Sequence, residues 1–336
     1  MKVLVTGGAG YIGSHTVVEL LTAGHEPIIA DNFSNSSRVI IVRLKEITGR
    51  ELPVHDIDLT DLKATSKLMT LVKPEAIIHF AALKSVGESV KMPLHYYRNN
   101  LLCLMNVTQA MDEAKLPTKR LVFSSSATVY GNPSRVPITE NMPLSTTNPY
   151  GATKLMGEMI LRDLAVADPS WRLTILRYFN PVGAHKSGLI GESPAGIPNN
   201  LMPYITQVAV GKLGKLQVFG NDYDTPDGTG VRDYLHVVDL AEAHVKSIET
   251  PSDETVTTYN LGTGHGYSVL ELIHAFEQVT GKTIPYEIVA RRPGDIATCY
   301  ADPAKANQEL AWSAQRDLVQ MCRDAWHWQS RNPHGY

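Results

Sequence analysis

Lys2-Val3-Leu4-Val5-Thr6-Gly7-Gly8-Ala9-Gly10-Tyr11-Ile12-Gly13 is the stretch that decides the fold. Five residues of strand type run straight into three glycines spaced three apart, Gly7, Gly10 and Gly13, and a helical pattern follows over Ile12–Ala23. One glycine makes the tight turn after the strand, one lets the backbone approach a pyrophosphate, and one lets the helix pack on the strand. The first turn of the helix then offers unpaired N–H groups and the positive end of its dipole to the phosphates. Strand, glycine turn and helix in this order are a way to hold a dinucleotide.

Outward from that stretch, short β-branched runs alternate with longer helical patterns. Further strands are expected at Glu26–Asp31, Pro53–Asp58, Ala76–Phe80, Arg120–Ser124 and Trp171–Tyr178, and helices near Asp61–Val72, Leu94–Ala114 and Tyr150–Ala167. This alternation predicts a doubly wound α/β fold of Rossmann type: a parallel sheet, helices on both faces, and ligands at the carboxyl ends of the strands. Beyond residue 180 the texture changes. Gly and Pro crowd Pro181–Pro203, and Asn221–Gly230 reads as a turn-rich acidic loop, with Asp222–Asp227 a solvated turn. The expectation is an NAD-binding domain over 1–180 and a smaller mixed α/β C-terminal lobe over 181–336, with pieces such as Thr258–Asn260 rejoining the sheet. A last helix around Leu318–Ser330 carries Trp326 and Trp328 as packing residues.

Asp31 closes the second strand. A carboxylate there accepts both ribose hydroxyls of an adenosine and repels a 2′-phosphate, which favours NAD over NADP. Arg38 is the opposing signal, near enough in sequence to pair with such a phosphate. A turn formed by Asp31 with Asn32 is the plainer alternative. Asp58, at the end of the third strand, suits either an adenine hydrogen bond or a structural turn.

The 336 residues carry 31 Lys and Arg against 34 Asp and Glu, a formal net charge of −3. That balance leaves no basic face for nucleic acid or an anionic membrane. Cys103, Cys299 and Cys322 are odd in number and far apart. Neither a disulfide framework nor a Cys-x-x-Cys metal pair is read from them, no metal is expected, and a reducing compartment fits. No signal peptide or membrane-spanning apolar run is recognised, which points to the cytoplasm.

The chemistry is carried by Asn148-Pro149-Tyr150-Gly151-Ala152-Thr153-Lys154. Tyr150 and Lys154 are four apart and share a helix face. A phenol titrates near 10, too high for a base at neutral pH, and a neighbouring ammonium is expected to lower that value. Lysine can also hold a nicotinamide ribose. The fifth strand ends in Ser124-Ser125-Ser126-Ala127-Thr128-Val129-Tyr130-Gly131, and the Ser126 hydroxyl can hydrogen-bond the reacting oxygen as the proton moves. A serine-rich turn is the alternative. Together these residues predict redox chemistry on an alcohol.

Further blocks extend the pattern: Phe80-Ala81-Ala82-Leu83-Lys84-Ser85-Val86-Gly87-Glu88-Ser89, Arg177-Tyr178-Phe179-Asn180-Pro181-Val182-Gly183-Ala184-His185, Gly196-Ile197-Pro198-Asn199-Asn200-Leu201-Met202-Pro203 and Gly228-Thr229-Gly230-Val231-Arg232-Asp233-Tyr234. With them the chain resembles the extended short-chain dehydrogenase/reductase family and, more narrowly, its UDP-glucose 4-epimerase (UDP-galactose 4-epimerase) branch, over nearly its whole length. The resemblance implies NAD-dependent, reversible epimerisation at C4 of a UDP-hexose through a bound 4-keto sugar, with Tyr150 taking the C4 hydroxyl proton. It implies NAD contacts at Gly7, Gly10, Tyr11, Ile12, Gly13, Asp31, Asn32, Asn35, Asp58, Leu59, Phe80, Ala81, Lys84, Asn99, Tyr150, Lys154 and Tyr178. It implies substrate contacts at Lys84, Ser126, Tyr150, Asn180, Asn200, Leu201, Phe219, Arg232, Tyr234, Arg292, Asp295 and Cys299. Arg232 and Arg292 would clamp the diphosphate with their planar forks, Phe219 would meet the uracil, and Asp295 the ribose or its neighbourhood. Taken without the resemblance, Lys84 is a solvated lysine and the two arginines are surface residues.

Some members of the branch have tyrosine where this chain has Cys299. The resemblance then implies room for a 2-N-acetyl group, and UDP-GlcNAc and UDP-GalNAc are expected substrates; a buried small hydrophobe is the alternative. Nucleotide-sugar 4,6-dehydratases and decarboxylases of the family need an acidic residue where Ala127 and Thr128 stand. A non-catalytic NAD-binding sensor has no use for Ser126, Tyr150 and Lys154 together. Leu101, Leu104 and Met105, with Leu155, Met159 and Leu164, spread apolar surface over more than one face of their two helices. The resemblance implies a homodimer made by pairing them.

Overall fold

The computed structural model describes residues 1–116, 119–194, 196–292 and 294–336. The first half runs β1 (Lys2–Thr6), α1 (Tyr11–Thr22), β2 (Glu26–Asp31), α2 (Val39–Thr48), β3 (Val54–Asp56), α3 (Leu62–Val72), β4 (Ala76–His79), α4 (Val86–Lys91), α5 (Pro93–Glu113), β5 (Lys119–Ser126), α6 (Pro149–Ala167) and β6 (Trp171–Tyr178). The second half runs β7 (Asn180–Val182), α7 (Leu201–Ala209), β8 (Leu216–Phe219), β9 (Val231–Arg232), β10 (Tyr234–His236), α8 (Val237–Glu249), β11 (Val256–Leu261), β12 (Tyr267–Ser268), α9 (Val269–Thr280), β13 (Tyr286–Val289), β14 (Thr298–Cys299), α10 (Ala304–Glu309) and α11 (Leu318–Arg331).

Seven strands pair in parallel in the order β3-β2-β1-β4-β5-β6-β11. Their residues alternate between two helix layers, as the period of a strand requires. Val3 and Val5 of β1 and Ile78 of β4 enter the cluster with Val17 and Leu20 of α1, Leu44 of α2 and Leu240 of α8. Leu4 and Ile77 point the other way, into the cluster with Met69 of α3, Leu104 and Val107 of α5 and Leu161 of α6. The strand order reverses between β1 and β4. The loops after these two strands therefore leave side by side, which opens a crevice at the carboxyl end of the sheet.

The doubly wound parallel sheet expected from the sequence is present, and Thr258–Asn260 lie in β11 at its edge. The sequence reading places no individual helices between residues 181 and 317, where α7 to α10 form, and in the first half it leaves two helices unassigned. In α2 the run Val39-Ile40-Ile41-Val42 is β-branched and has no clear helical period, yet Ile40 and Leu44 are buried one turn apart while Val39 and Val42 are exposed. The other is the short α4, capped by Ser85. Asp222–Asp227 is more than a solvated turn. Asp227 accepts from the Thr229 amide at 2.8 Å and from the Ser268 hydroxyl, and Asp222 pairs with Arg291 at 2.6 Å.

In the second half, α7, α9, α11 and β8 close on a third cluster containing Met202, Ile205, Val218, Phe276, Met321 and Cys322. Trp326 is half-buried edge-on to Phe276 in this cluster, and Trp328 is buried beside Tyr336. A fourth, smaller cluster joins Cys299 and Ala301 to Val129, Tyr130, Ile138 and Phe179. All three cysteines are free and buried. Among the described residues no helix is long and apolar enough to cross a membrane.

Candidate active site

The crevice begins with the glycines. Gly7 has φ +68°, and a Cβ there would lie 2.9 Å from the Ala81 amide nitrogen; one at Gly13 would lie 2.3 Å from the Gly7 carbonyl oxygen. Side chains are excluded at both, so β1, α1 and the loop after β4 meet backbone to backbone. Gly10 caps α1 without a side-chain acceptor, so the first N–H groups of α1 are left for a ligand. Asp31 stands beside this loop: its Oδ2 accepts from the Ala9 amide at 2.9 Å, and its Oδ1 from the Phe33 amide at 2.9 Å and the Ser36 hydroxyl at 3.0 Å. The turn-forming role is thus realised at the same place as the proposed ribose contact. Arg38 pairs with Asp56 and lies over the Phe33 ring. Asn32 and Asn35 are exposed in this loop. Asp58 is exposed too, and its Oδ1 accepts from the Thr60 amide and hydroxyl at 2.9 and 2.8 Å, the structural turn among its two readings. Leu59 is buried, and its carbonyl accepts from Asn106.

Across the crevice, the Phe80 amide donates to the Thr6 carbonyl at 3.0 Å. Lys84 pairs with Glu192 at 3.0 Å and lies 5.8 Å from the centre of the Tyr11 ring. Asn99 donates to Asn100, whose side chain also accepts from the Leu83 amide and donates to Thr153. Asn100 thereby ties the Lys84 loop to α6.

Asn148 caps α6 by accepting from the Gly151 amide at 2.8 Å, and Pro149 starts it. Tyr150 is fixed in the first turn and Lys154 one turn on. Lys154 is buried and donates to the Ser124 carbonyl at 2.5 Å, with its ammonium 5.9 Å from the centre of the Tyr150 ring. Ser124 and Tyr178 share a hydrogen bond between their hydroxyls. The Ser126 oxygen caps the turn after β5, accepting from the Thr128 amide at 3.2 Å. Burial pushes the Tyr150 phenol up to about 12, opposed by the nearby Ser126 hydroxyl. Burial pulls Lys154 down to about 7, opposed by Glu158. The expected lowering of the phenol by Lys154 is therefore corrected: desolvation wins, because the ammonium is turned to a carbonyl and is itself disfavoured by burial.

A family model described as GDP-mannose 4,6 dehydratase matches residues 4–325. The chain is 61% identical to a UDP-glucose 4-epimerase of Bacillus subtilis (strain 168), over 100% of this chain and 99% of that protein. It is 56% identical to one from Dictyostelium discoideum, over 100% and 97%. The chain belongs to the UDP-glucose 4-epimerase family. A Bifidobacterium longum UDP-glucose 4-epimerase solved with NAD+ and UDP superposes with a TM-score of 0.97 at 54% identity, covering 100% of both chains. The UDP-Glc/GlcNAc 4-epimerase of Campylobacter jejuni gives 0.84 at 36% identity, covering 98% of this chain and 99% of that one.

In this UDP-glucose 4-epimerase family member the second half supplies a cationic wall. Arg292 pairs with Asp295 at 2.9 Å and sits 4.7 Å from the centre of the Phe219 ring. Arg232 donates to the Val231 and Ala297 carbonyls at 2.9 and 3.4 Å. Both arginines draw down the buried Tyr234 phenol, which burial still pushes up to about 12. Cys299 is in register with Arg232 on adjacent strands, and burial pushes its thiol up to about 11. Asn180 is exposed and receives its place from β7, where its amide donates to the Asp233 carbonyl at 3.0 Å. Asn200 caps α7, Leu201 opens it, and the Asn200 amide donates to Glu192 at 2.9 Å.

Sequence reasoning missed the buried supports. Arg177 clasps Glu158 at 2.9 and 2.6 Å and donates to the Tyr130 oxygen at 2.9 Å; Ser125 donates to Glu158 at 2.6 Å. Asp233 accepts from the amides of Thr263, Gly264 and Ala301. Arg177 and Asp233 both lie in the sequence blocks that carry the family resemblance. Charges in the middle of strand-like runs were the available signal.

Proposed function

We propose that this chain performs NAD-dependent, reversible C4 epimerisation of UDP-hexoses, chiefly UDP-glucose and UDP-galactose. The observation that carries the reading is the meeting of Ser126, Tyr150 and Lys154 at the mouth of a crevice floored by side-chain-free Gly7 and Gly13. The crevice fits a dinucleotide: the bare N-terminus of α1 suits phosphates, and Asp31 beside it suits a ribose without a 2′-phosphate. Bound there, NAD supplies reversible hydride acceptance at the sugar's C4. The remaining work falls to the chain. Tyr150 takes the C4 hydroxyl proton and later returns it to the same oxygen, while Ser126 holds that oxygen by a hydrogen bond. Lys154, one turn along α6, orients the nicotinamide ribose. Arg232 and Arg292 grip the diphosphate, so the 4-keto sugar can turn about its link and present its other face.

Incubating purified protein with UDP-galactose, without added cofactor, should yield UDP-glucose; no conversion with NAD supplied in excess would sink the reading. Ala127 and Thr128 follow Ser126 in the turn, where a dehydratase needs an acid. Cys299 lies in the cluster directly behind that turn, and its small side chain supports use of UDP-GlcNAc and UDP-GalNAc as well. The exposed Met105, Met156 and Met159 on α5 and α6 support a homodimer paired through these helices. The proposed organisation is an NAD-binding domain over 1–180 and a substrate lobe over 181–336, with α8 and β11 returned to the first; the proposed location is the cytoplasm.

A further inference from the structure

Glu192 stands where the two candidate ligand sets meet. Its Oε1 accepts from the Lys84 ammonium at 3.0 Å and from the Asn200 amide at 2.9 Å. Lys84 comes from the loop after β4 and Asn200 from the cap of α7, so one oxygen joins the cofactor side of the crevice to the substrate side. The Glu192 side chain is only 9% exposed.

The backbone that carries it is clamped from the C-terminal segment. Trp328 Nε1 donates to the Glu192 carbonyl at 3.2 Å. The Tyr336 hydroxyl accepts from the Gly191 amide at 2.9 Å and donates to the Gly191 carbonyl at 3.0 Å. A Cβ at Gly191 would fall 2.3 Å from the Trp328 ring, so the main chain is pressed against the indole. The main chain under the carboxylate therefore cannot shift without moving α11 and the C-terminal residues.

Lys84 and Asn200 are the kind of donors an anionic diphosphate recruits, and here a fixed anion already engages both. A ligand phosphate can take them fully only by loosening them from Glu192, and it meets a like charge in doing so. Tighter binding of the ground state adds nothing to turnover once substrate saturates, whereas a nucleotide held too well leaves slowly. Resting on the function proposed above, we propose that Glu192 is a built-in competitor for the diphosphate's donors, which sets nucleotide affinity low enough for product to depart.

The test is calorimetric titration of UDP into the NAD-loaded protein, for the wild type, Glu192→Gln and Glu192→Ala, with thermal melts alongside. Removing the charge should tighten UDP binding about 5- to 10-fold in both variants, the size of a partly shielded ion pair. The gain should vanish when Lys84→Met is added, because the contested donor is then gone. A side chain with a purely structural role would move affinity the other way. UDP binding unchanged or weaker in variants that melt near the wild type overturns the proposal, and so does failure of both variants to fold. Wild-type protein that binds no UDP defeats the function reading itself, and this inference with it.

Discussion

Arg177→Met tests the buried ion pair behind the catalytic helix. Arg177 and Glu158 have side chains 2% and 1% exposed. The Glu158 carboxylate accepts three hydrogen bonds, two from Arg177 and one from Ser125. The substitution removes the two charged ones and strands an anion in the core between β6 and α6. Hydrogen bonds to charged groups contribute about 1.5–3 kcal/mol each, and breaking one partner of a buried pair costs about 3–5 kcal/mol. The expected loss is therefore about 3–5 kcal/mol. Adding Glu158→Gln removes the stranded charge and keeps an acceptor for Ser125, so the double variant should lie within about 1–2 kcal/mol of the wild type. Urea denaturation followed by tryptophan fluorescence, at fixed NAD, measures both. The reasoning is refuted if Arg177→Met costs less than about 1 kcal/mol, or if the double variant is no more stable than the single one.

Tyr150→Phe should lower kcat for UDP-galactose about 10²- to 10⁴-fold with little change in UDP affinity, measured by a coupled assay and calorimetry. Gly13→Ala should abolish NAD retention, read as the cofactor content of the purified protein, because the new Cβ would meet the Gly7 carbonyl at 2.3 Å. Lys154 binds its proton less tightly folded, at about 7, than at its ordinary 10.5, so the unfolded chain holds more protons between those values and stability rises with pH across that window. Lys154→Met should flatten that rise in melting temperatures compared at pH 7 and pH 9.5. Cys299→Tyr should cut turnover of UDP-GlcNAc while sparing UDP-galactose; equal, poor use of the acetylated sugar by both forms would remove the case for it.

The parallel sheet was legible because its signal is local. Val3-Leu4-Val5 feeding Gly7, Gly10 and Gly13 needs no knowledge of distant contacts, and each expected strand of the first half formed within a few residues of its reading. Lys119 and Ser126 extend β5 at both ends because β6 pairs with all eight residues, which is long-range information. Helix α2 was illegible for a related reason: its β-branched start has strand propensity, and only packing on α1 and the sheet makes it helical. At the site, Tyr150 and Lys154 declared themselves by a four-residue spacing. Glu158 did not, although it continues the same spacing, because its partner Arg177 arrives from a different strand. Glu192 lies between the stretches Arg177–His185 and Gly196–Pro203 and outside any motif. Its role depends on Lys84 and Asn200, 108 and 8 residues away.

The miss on Tyr150 is the more instructive one. Sequence logic places an ammonium one turn from a phenol and concludes that the phenol acidifies. The fold adds burial, which disfavours charge on either group: the phenol goes up to about 12 and the ammonium down to about 7. Burial thus opposes the phenolate that a base requires. The Ser126 hydroxyl recovers part of the loss for the phenolate, and Glu158 part of it for the ammonium. The site is thus poised so that positive charge brought beside Tyr150 decides whether the base exists. A base that is competent only beside a cationic partner cannot deprotonate alcohols idly, and an epimerase that returns every hydride to the same carbon gains from that restraint.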